Sequence, residues 1–481
     1  MDLPAILIAI AHWTIIVILS LRVMVRRRPV GVSLAWLAVI YSLPFLGGVL
    51  YLMFGENRLG QRRAEERAKM VGYVQAWLRT LCTGELRAAV SKVDVAEPVA
   101  NHVERMMGVP PLAGNKLQLL SDTEAIFDSL IADIDAAEHS CLLGFYIWSE
   151  GGRADEVVAA LIRAAARGVD CRVSGDAVGS KAFLRGPLAK ALRAGGVKVV
   201  TLLPIGLWRL LVVRLDLRNH RKIVVIDSRI GYTGSQNLVD PKFFKQGAGV
   251  GEWVDAMVRA EGPTVPLLAA LFLYDFGLET GEALELPRVE GCHAKDFVEG
   301  SIAQVIPSGP AGRPEIIYRL LLTMMFDARR ELVITTPYFV PDESIVTALI
   351  SAAARGVEVT LILPERNDSL LIRYASTAHF DELLVAGVRI ARFRDGLLHT
   401  KSITIDGKFS VFGSVNLDMR SLWLNFEISY FVYDEDFTTR LCDLQNRYLE
   451  KSSWLELDEW RQRGRARRLA EDALRLASPL L

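Results

Sequence analysis

Two short stretches carry ionisable side chains where an apolar strand would ordinarily carry none. One is NHRKIVVID, Asn219 to Asp227; the other is LHTKSITID, Leu398 to Asp406. In each, a histidine is followed two residues later by a lysine and five residues after that by an aspartate. Alternate residues of a strand share a face, so His220 is expected to project with Lys222, and His399 with Lys401. Asp227 and Asp406 fall at the strand ends, where the Asp406-Gly407 pair signals a turn. A Gly-Ser-x-Asn follows each stretch: Ser235 and Asn237 in the first, Ser414 and Asn416 in the second. The asparagine stands seventeen residues after the histidine both times. The other histidines, His12, His102, His139, His293 and His379, have no such company and read as structural or surface groups.

Two histidines, two lysines and two hydroxyl-amide pairs do not suit a metal. A lysine beside each histidine would repel a cation, and no third or fourth ligand accompanies them. An anion suits them well. Lysine, serine and asparagine donors can surround phosphate oxygens, where charge builds during phosphoryl transfer. A neutral imidazole can attack phosphorus, and a protonated one can hand its proton to the leaving oxygen. A satisfied structural histidine would explain one such strand but not two matched sets.

The elements that must position these groups also occur twice. ALIRAAARGVDCRV (Ala160 to Val173) is matched by ALISAAARGVEVTL (Ala348 to Leu361), each reading as a helix end, a glycine stop and a strand. LRAGGVKVV near Leu192 is echoed by LLVAGVRIA near Leu383, and FYIW at Phe145 by PYFV at Pro337. Alternating helices and strands predict an α/β fold with a largely parallel sheet. Duplicated units are expected to pack face to face about a pseudo-twofold, each half giving one contribution to a site on the axis. The expected boundaries are a membrane hairpin over 1–60, a helical linker over 61–118, a first repeat over 119–290 and a second over 291–481 ending in a basic helix.

Composition limits the alternatives. Of 481 residues, Lys+Arg and Asp+Glu number 56 each, and this neutrality argues against a nucleic-acid partner. The five scattered cysteines form no framework and read as reduced thiols. Leu3 to Leu21 has no formal charge and, as a helix, would run about 28 Å, close to the hydrocarbon thickness of a bilayer. Val30 to Phe54 is a second candidate span, its Pro44 and Gly47-Gly48 tolerable in a membrane. A signal peptide fits poorly, since Met1-Asp2 supplies no positive charge. Arginines flank both ends of the second span, so charge does not choose a side. The segment Leu203 to Lys222 interleaves Trp208, Leu210 and Leu211 with Arg209, Arg214 and Arg218, a mixture suited to a membrane surface delivering a headgroup to His220.

The complete, duplicated H-x-K-x4-D with its following G-S-x-N resembles the phospholipase D superfamily. The stretches DLRNHRKIVVID and GSVNLDMRSLWLNFE, the membrane pair and the final SPLL are similar to its bacterial cardiolipin synthase family. That resemblance implies two tandem phospholipase D-like α/β/α repeats and no metal or other cofactor. It implies His220 as nucleophile and His399 as general acid and then base, with Lys222 and Lys401 at the phosphate. Ser235, Asn237, Ser414 and Asn416 would bind substrate. The family's acidic residue behind each histidine would be Asp255 in EWVD and Glu427 in LNFE. The motif aspartates, Asp227 and Asp406, complete the catalytic motif while supporting the fold around it. The activity implied is phosphatidyl transfer between two phosphatidylglycerol molecules, with hydrolysis to phosphatidic acid, or another acceptor, as the alternative. The implied setting is a bacterial cytoplasmic membrane, multi-pass, with the catalytic body on the cytoplasmic side and a homodimer among the allowed assemblies.

Overall fold

A computed structural model describes residues 3–26, 30–43, 45–56, 96–206, 216–283, 300–311 and 313–464, with residues 65, 72, 214 and 471 singly. Most of the 61–118 linker, residues 207–213 with Trp208 and Leu211, the stretch with His293, and most of the C-terminal basic segment lie outside these residues.

The strands form one fifteen-stranded sheet. From one edge the second half contributes Ser452–Trp454, Arg389–Phe393, Glu358–Pro364, Glu331–Thr335, Ser402–Ile405, Phe409–Gly413, Glu427–Val432 and Ser301–Ser308. The first half continues with Leu112–Leu120, Met257–Glu261, Ile230–Gly234, Ile223–Ile226, Ser140–Phe145, Asp170–Asp176 and Lys198–Leu202. Apart from the edge strand Ser452–Trp454, the second order is the first reversed, the arrangement a twofold relation between duplicated halves produces. The junction is Leu112–Leu120 paired antiparallel with Ser301–Ser308. The halves therefore join edge to edge through backbone hydrogen bonds, rather than only face to face as duplication suggested. The strand Leu112–Leu120 also opens within the stretch read as linker, so the first half begins before residue 119.

The sheet is mixed rather than largely parallel. Ser140–Phe145, Asp170–Asp176 and Lys198–Leu202 run parallel, as the helical crossovers between them require. Both motif strands, Ile223–Ile226 and Ser402–Ile405, are antiparallel to their neighbours on each side. A run such as IVVI, buried at all four positions, carries no alternation to betray its direction. Helices cover the sheet. Arg153–Ala166 and Glu343–Ala354, the duplicated alanine-rich pair, bury Val157, Leu161, Ile345 and Leu349 completely.

At the N-terminus a helix runs over Leu3–Val25, 23 residues. The second candidate span is broken: one helix ends at Ser42 and the next begins at Leu46. The pieces are 13 and 9 residues long, too short to cross a bilayer unaided. Among the described residues, no helix is long and apolar enough to cross a membrane. Where a pair of transmembrane helices was expected, the described residues form one helix of 23 residues and two shorter ones of 13 and 9. Glu56, almost fully buried, closes the bundle by accepting two hydrogen bonds from the Arg22 guanidinium and one from the Tyr51 hydroxyl at 3.1 Å. Leu7, Ile10, Trp13, Val17, Ile18 and Leu21 all remain more than half exposed.

Candidate active site

His220 and Lys222 stand just before the strand Ile223–Ile226, and His399 and Lys401 just before Ser402–Ile405. They were expected inside those strands. Their backbone instead bonds across the pseudo-twofold. The His220 N–H donates to the Phe426 carbonyl at 2.9 Å, and the His399 N–H donates to the Val254 carbonyl at 2.8 Å. Phe426 and Val254 each immediately precede a carboxylate, so these short cross-links seat each histidine beside an acid from the opposite half. Nδ1 of His220 lies 2.9 Å from Glu427 Oε2, and Nδ1 of His399 lies 2.7 Å from Asp255 Oδ1. With Nδ1 so engaged, Nε2 is the ring atom left to each histidine for chemistry.

Each lysine folds back in the same way. Lys222 Nζ donates to its own histidine's carbonyl at 2.7 Å, and Lys401 Nζ does so at 2.5 Å. All of these groups are buried, and burial sets their protonation. It pulls His220 and His399 down to about 4, against the opposing pull of Glu427 and Asp255. It also lowers Lys222 to about 8 and Lys401 to about 7, the two ammoniums repelling each other across the seam. For Asp255 and Glu427 burial acts upward, but the histidine partner and nearby lysine outweigh it, leaving both below the usual carboxylate value. At neutral pH the site thus holds neutral imidazoles, anionic carboxylates and lysines near their titration points.

The polar residues divide into two sets. The Ser414 hydroxyl donates to Glu427, and Ser235 Oγ accepts from the Ala256 N–H at 3.1 Å beside Asp255. Both serines hold the carboxylate segments. Asn237 uses its carbonyl on the Ile147 N–H at 3.1 Å and leaves a buried Nδ2 without an acceptor among the described residues. Asn416 Nδ2 lies 3.2 Å from Ser421 Oγ, and its Oδ1 is buried without a partner among the described residues. Turning that amide over would give both asparagines a spare donor, since amide orientation is assigned rather than observed. The motif aspartates lie away from the histidines. Asp227 accepts from the backbone of Glu138, His139 and Ser140, and Asp406 from that of Arg330 and Glu331. Both occupy left-handed backbone, φ 50° and 56°, and pin a turn; they are not part of the reacting constellation.

Three aromatic residues absent from the sequence reading complete the walls. Tyr146 meets the His220 ring edge-on at 4.9 Å, Tyr338 meets His399 at 6.5 Å, and Trp253 lies 4.3 Å from His399. The tyrosines stand at matching places in FYIW and PYFV, so the repeat itself held the signal.

A family model described as cardiolipin synthase, phospholipase D-like domain, matches residues 130–247 and 321–448. A phospholipase D-nuclease N-terminal model matches residues 9–56. Among curated proteins the chain is 44% identical to cardiolipin synthase A of Serratia proteamaculans over 99% of this chain and 98% of that one. It is 45% identical to cardiolipin synthase A of Proteus mirabilis over 98% and 97%. Among solved structures, phosphatidylserine synthase of Haemophilus influenzae superposes with a TM-score of 0.59 at 15% identity, covering 79% of this chain and 99% of that one. At that identity the likeness speaks to the fold alone.

Proposed function

The chain belongs to the cardiolipin synthase family of phospholipase D-like enzymes, and from that premise we propose how its residues divide the work. It is a phosphatidyltransferase that synthesises cardiolipin. In our reading both substrates are phosphatidylglycerol. His220 Nε2 attacks the phosphorus of the first lipid, the glycerol oxygen leaves, and His399 supplies its proton. His399 then removes the proton from a hydroxyl of the second lipid. That oxygen forms a bond to phosphorus as the phosphorus–nitrogen bond breaks, giving cardiolipin and returning His220.

The observation that carries this reading is the crossed pairing of each buried histidine with a carboxylate from the other half. Glu427 fixes His220 with Nε2 toward the seam and stabilises the imidazolium-like charge that attack creates. Asp255 does the same for the imidazole that must alternate between acid and base. Both rings are neutral in the unliganded site, which suits the nucleophile. Arrival of an anionic phosphate favours the charged form of His399, so substrate binding itself recruits the proton that the leaving group takes. Lys222, Lys401 and the spare amide donors of Asn237 and Asn416 hold the phosphoryl oxygens.

The bilayer is the proposed setting. The exposed apolar side chains of Leu3–Val25 support it, since a contiguous surface of that kind needs a non-aqueous neighbour. Membranes given phosphatidylglycerol labelled in both phosphate and headgroup should yield cardiolipin and free glycerol in equal amounts. Phosphatidic acid with glycerol, and no cardiolipin, would overturn the transfer reading. Protease protection in sealed vesicles tests the proposed cytoplasmic side of the catalytic body.

A further inference from the structure

Outside the histidine seam the second half encloses a cavity of about 610 Å³. It opens at the carboxyl ends of three parallel strands. Pro337 lies just beyond Glu331–Thr335, Leu363 and Pro364 end Glu358–Pro364, and Arg392 is the penultimate residue of Arg389–Phe393. That edge is where open α/β sheets place their ligands, and the volume suits an organic ligand of moderate size.

The lining has two chemistries. Phe339, Phe380, Leu455 and Trp460 give it apolar surface. Arg366, Arg373, Arg392 and Arg463 give it cationic surface, with Glu365 and Glu459 beside them; of the four, Arg463 is already paired with the buried Glu471 at 2.8 Å. Glu365 faces Arg394, outside the cavity, at 3.5 Å, while Glu459 stands 3.8 Å from Arg392 and offsets part of its charge within the lining. Arg373 forms no ion pair among the described residues, and Arg366 donates only to the Gly249 carbonyl, at 3.4 Å. Arg392 Nε is buried with no acceptor among the described residues, a costly state for a donor unless something fills it.

The first half is bulkier in the matching segment. Trp148 of FYIW stacks flat on Phe183 at 4.4 Å. Its counterpart in PYFV is the smaller Val340, and the stretch between the strand and the last helix before the next strand, which holds one short helix in each half, is longer, residues 365–379 against 177–186. The halves are thus alike at the histidines and unlike here. Pro337 and Phe339 line the cavity while the ring of Tyr338 between them packs near-perpendicular to His399, centroids 6.5 Å apart, so one short segment borders both the cavity and the proposed acid-base residue.

We infer that this cavity is the acceptor site: it holds the phosphate and proximal acyl carbons of the second anionic phospholipid while that lipid's hydroxyl reaches His399. The inference rests on the phosphatidyl-transfer reading. Two like substrates meet one pair of histidines, so only one phosphate can occupy the seam at a time. The other needs cations of its own and an apolar wall; Arg366 and Arg373, with no ion pair among the described residues, and the apolar Phe380 and Trp460 of the same lining provide both.

The test reverses charge at the two exposed arginines, Arg366→Glu with Arg373→Glu, neither of which is packed in the core. Two rates are read on the full-length protein in detergent: cardiolipin formation, and exchange of labelled glycerol into phosphatidylglycerol. Exchange uses the same donor, histidines and intermediate but a small neutral acceptor. Loss of two charge-assisted contacts should cut cardiolipin formation by roughly tenfold or more. Exchange should stay within about twofold of wild type, and Arg366→Lys with Arg373→Lys should restore much of the cardiolipin rate. Parallel loss of both rates, or loss of neither, overturns the acceptor site. A wild-type protein that exchanges glycerol but never forms cardiolipin would instead overturn the transfer reading beneath it. Inorganic phosphate protecting the wild type as well as short-chain phosphatidylglycerol does, in a thermal shift that the double charge reversal abolishes, would assign the cavity to free phosphate and not to lipid.

Discussion

Asp255→Asn separates the two histidines by the chemistry each is proposed to perform. The substitution keeps the shape of the side chain but removes the charge 2.7 Å from His399 Nδ1. Both groups are buried, so water does not replace what is lost. A hydrogen bond to a charged group in such a place is worth about 1.5–3 kcal/mol. At about 1.4 kcal/mol per factor of ten, His399 loses between tenfold and roughly a hundredfold of its affinity for the transferred proton. The upper part of that range is expected, because Lys401 and Lys222 remain nearby and their repulsion of an imidazolium is then unopposed. Glycerol release from phosphatidylglycerol should slow by that factor. Release of nitrophenolate from a nitrophenyl phosphodiester should barely change, since that group departs as an anion and needs no acid. Glu427→Gln is the mirror experiment: it acts behind the nucleophile and should slow both substrates alike. If Asp255→Asn slowed the two substrates equally, or Glu427→Gln spared the activated one, the roles given to His220 and His399 would be wrong.

Other outcomes follow from the same geometry. His220→Ala and His399→Ala should each remove nearly all turnover, and only His399→Ala should accumulate a phosphatidyl-protein adduct visible by mass spectrometry; retention of a tenth of wild-type rate would count against two essential histidines. kcat/KM should fall as pH rises through about 7 to 8, where Lys401 and Lys222 give up the protons that hold phosphate; a flat profile to pH 9 would remove the lysines from that role. Stability should decline as pH falls from 6.5 towards 4, because the unfolded chain protonates its histidines before the buried native rings do. The loss should approach about 3 kcal/mol per ring, with His220→Gln and His399→Gln together flattening the slope in melts. Asp255 and Glu427, held below the usual carboxylate range, add to that loss only at still lower pH. A chain beginning near Arg62 should act on detergent-dispersed lipid but lose most activity on vesicles; equal vesicle activity would place the lipid contact elsewhere.

The repeat made much of the molecule legible. Two copies of one motif located both histidines, both lysines and the two asparagines, and family resemblance added the carboxylates. What sequence spacing could not convey was which acid serves which histidine, because that depends on contacts between residues 207 and 144 positions apart, His220 with Glu427 and His399 with Asp255. Strand direction was also hidden, since IVVI and SITI are buried on both faces and look alike in either sense. The serines' hydrogen bonds were hidden likewise: a hydroxyl beside a catalytic motif suits a phosphate or a carboxylate equally, and Ser414 donates to Glu427. Composition described the second N-terminal span as one apolar run, while the helix break between Ser42 and Leu46 is a matter of backbone geometry that hydropathy does not register.

The crossed carboxylates carry an implication for ancestry. A protein half this length, with one histidine, one lysine and one acid, would present a histidine whose acid faces outward, and an acid with no ring to orient. It could have worked only by pairing with a second copy, each lending its acid to the other across the twofold. Joining two such copies in one chain would have freed the halves to diverge without losing their partner. The pair Glu427 and Asp255, no longer the same residue, and Val340 standing where the first half has Trp148, are the kind of difference a symmetric pair of identical chains could never have acquired.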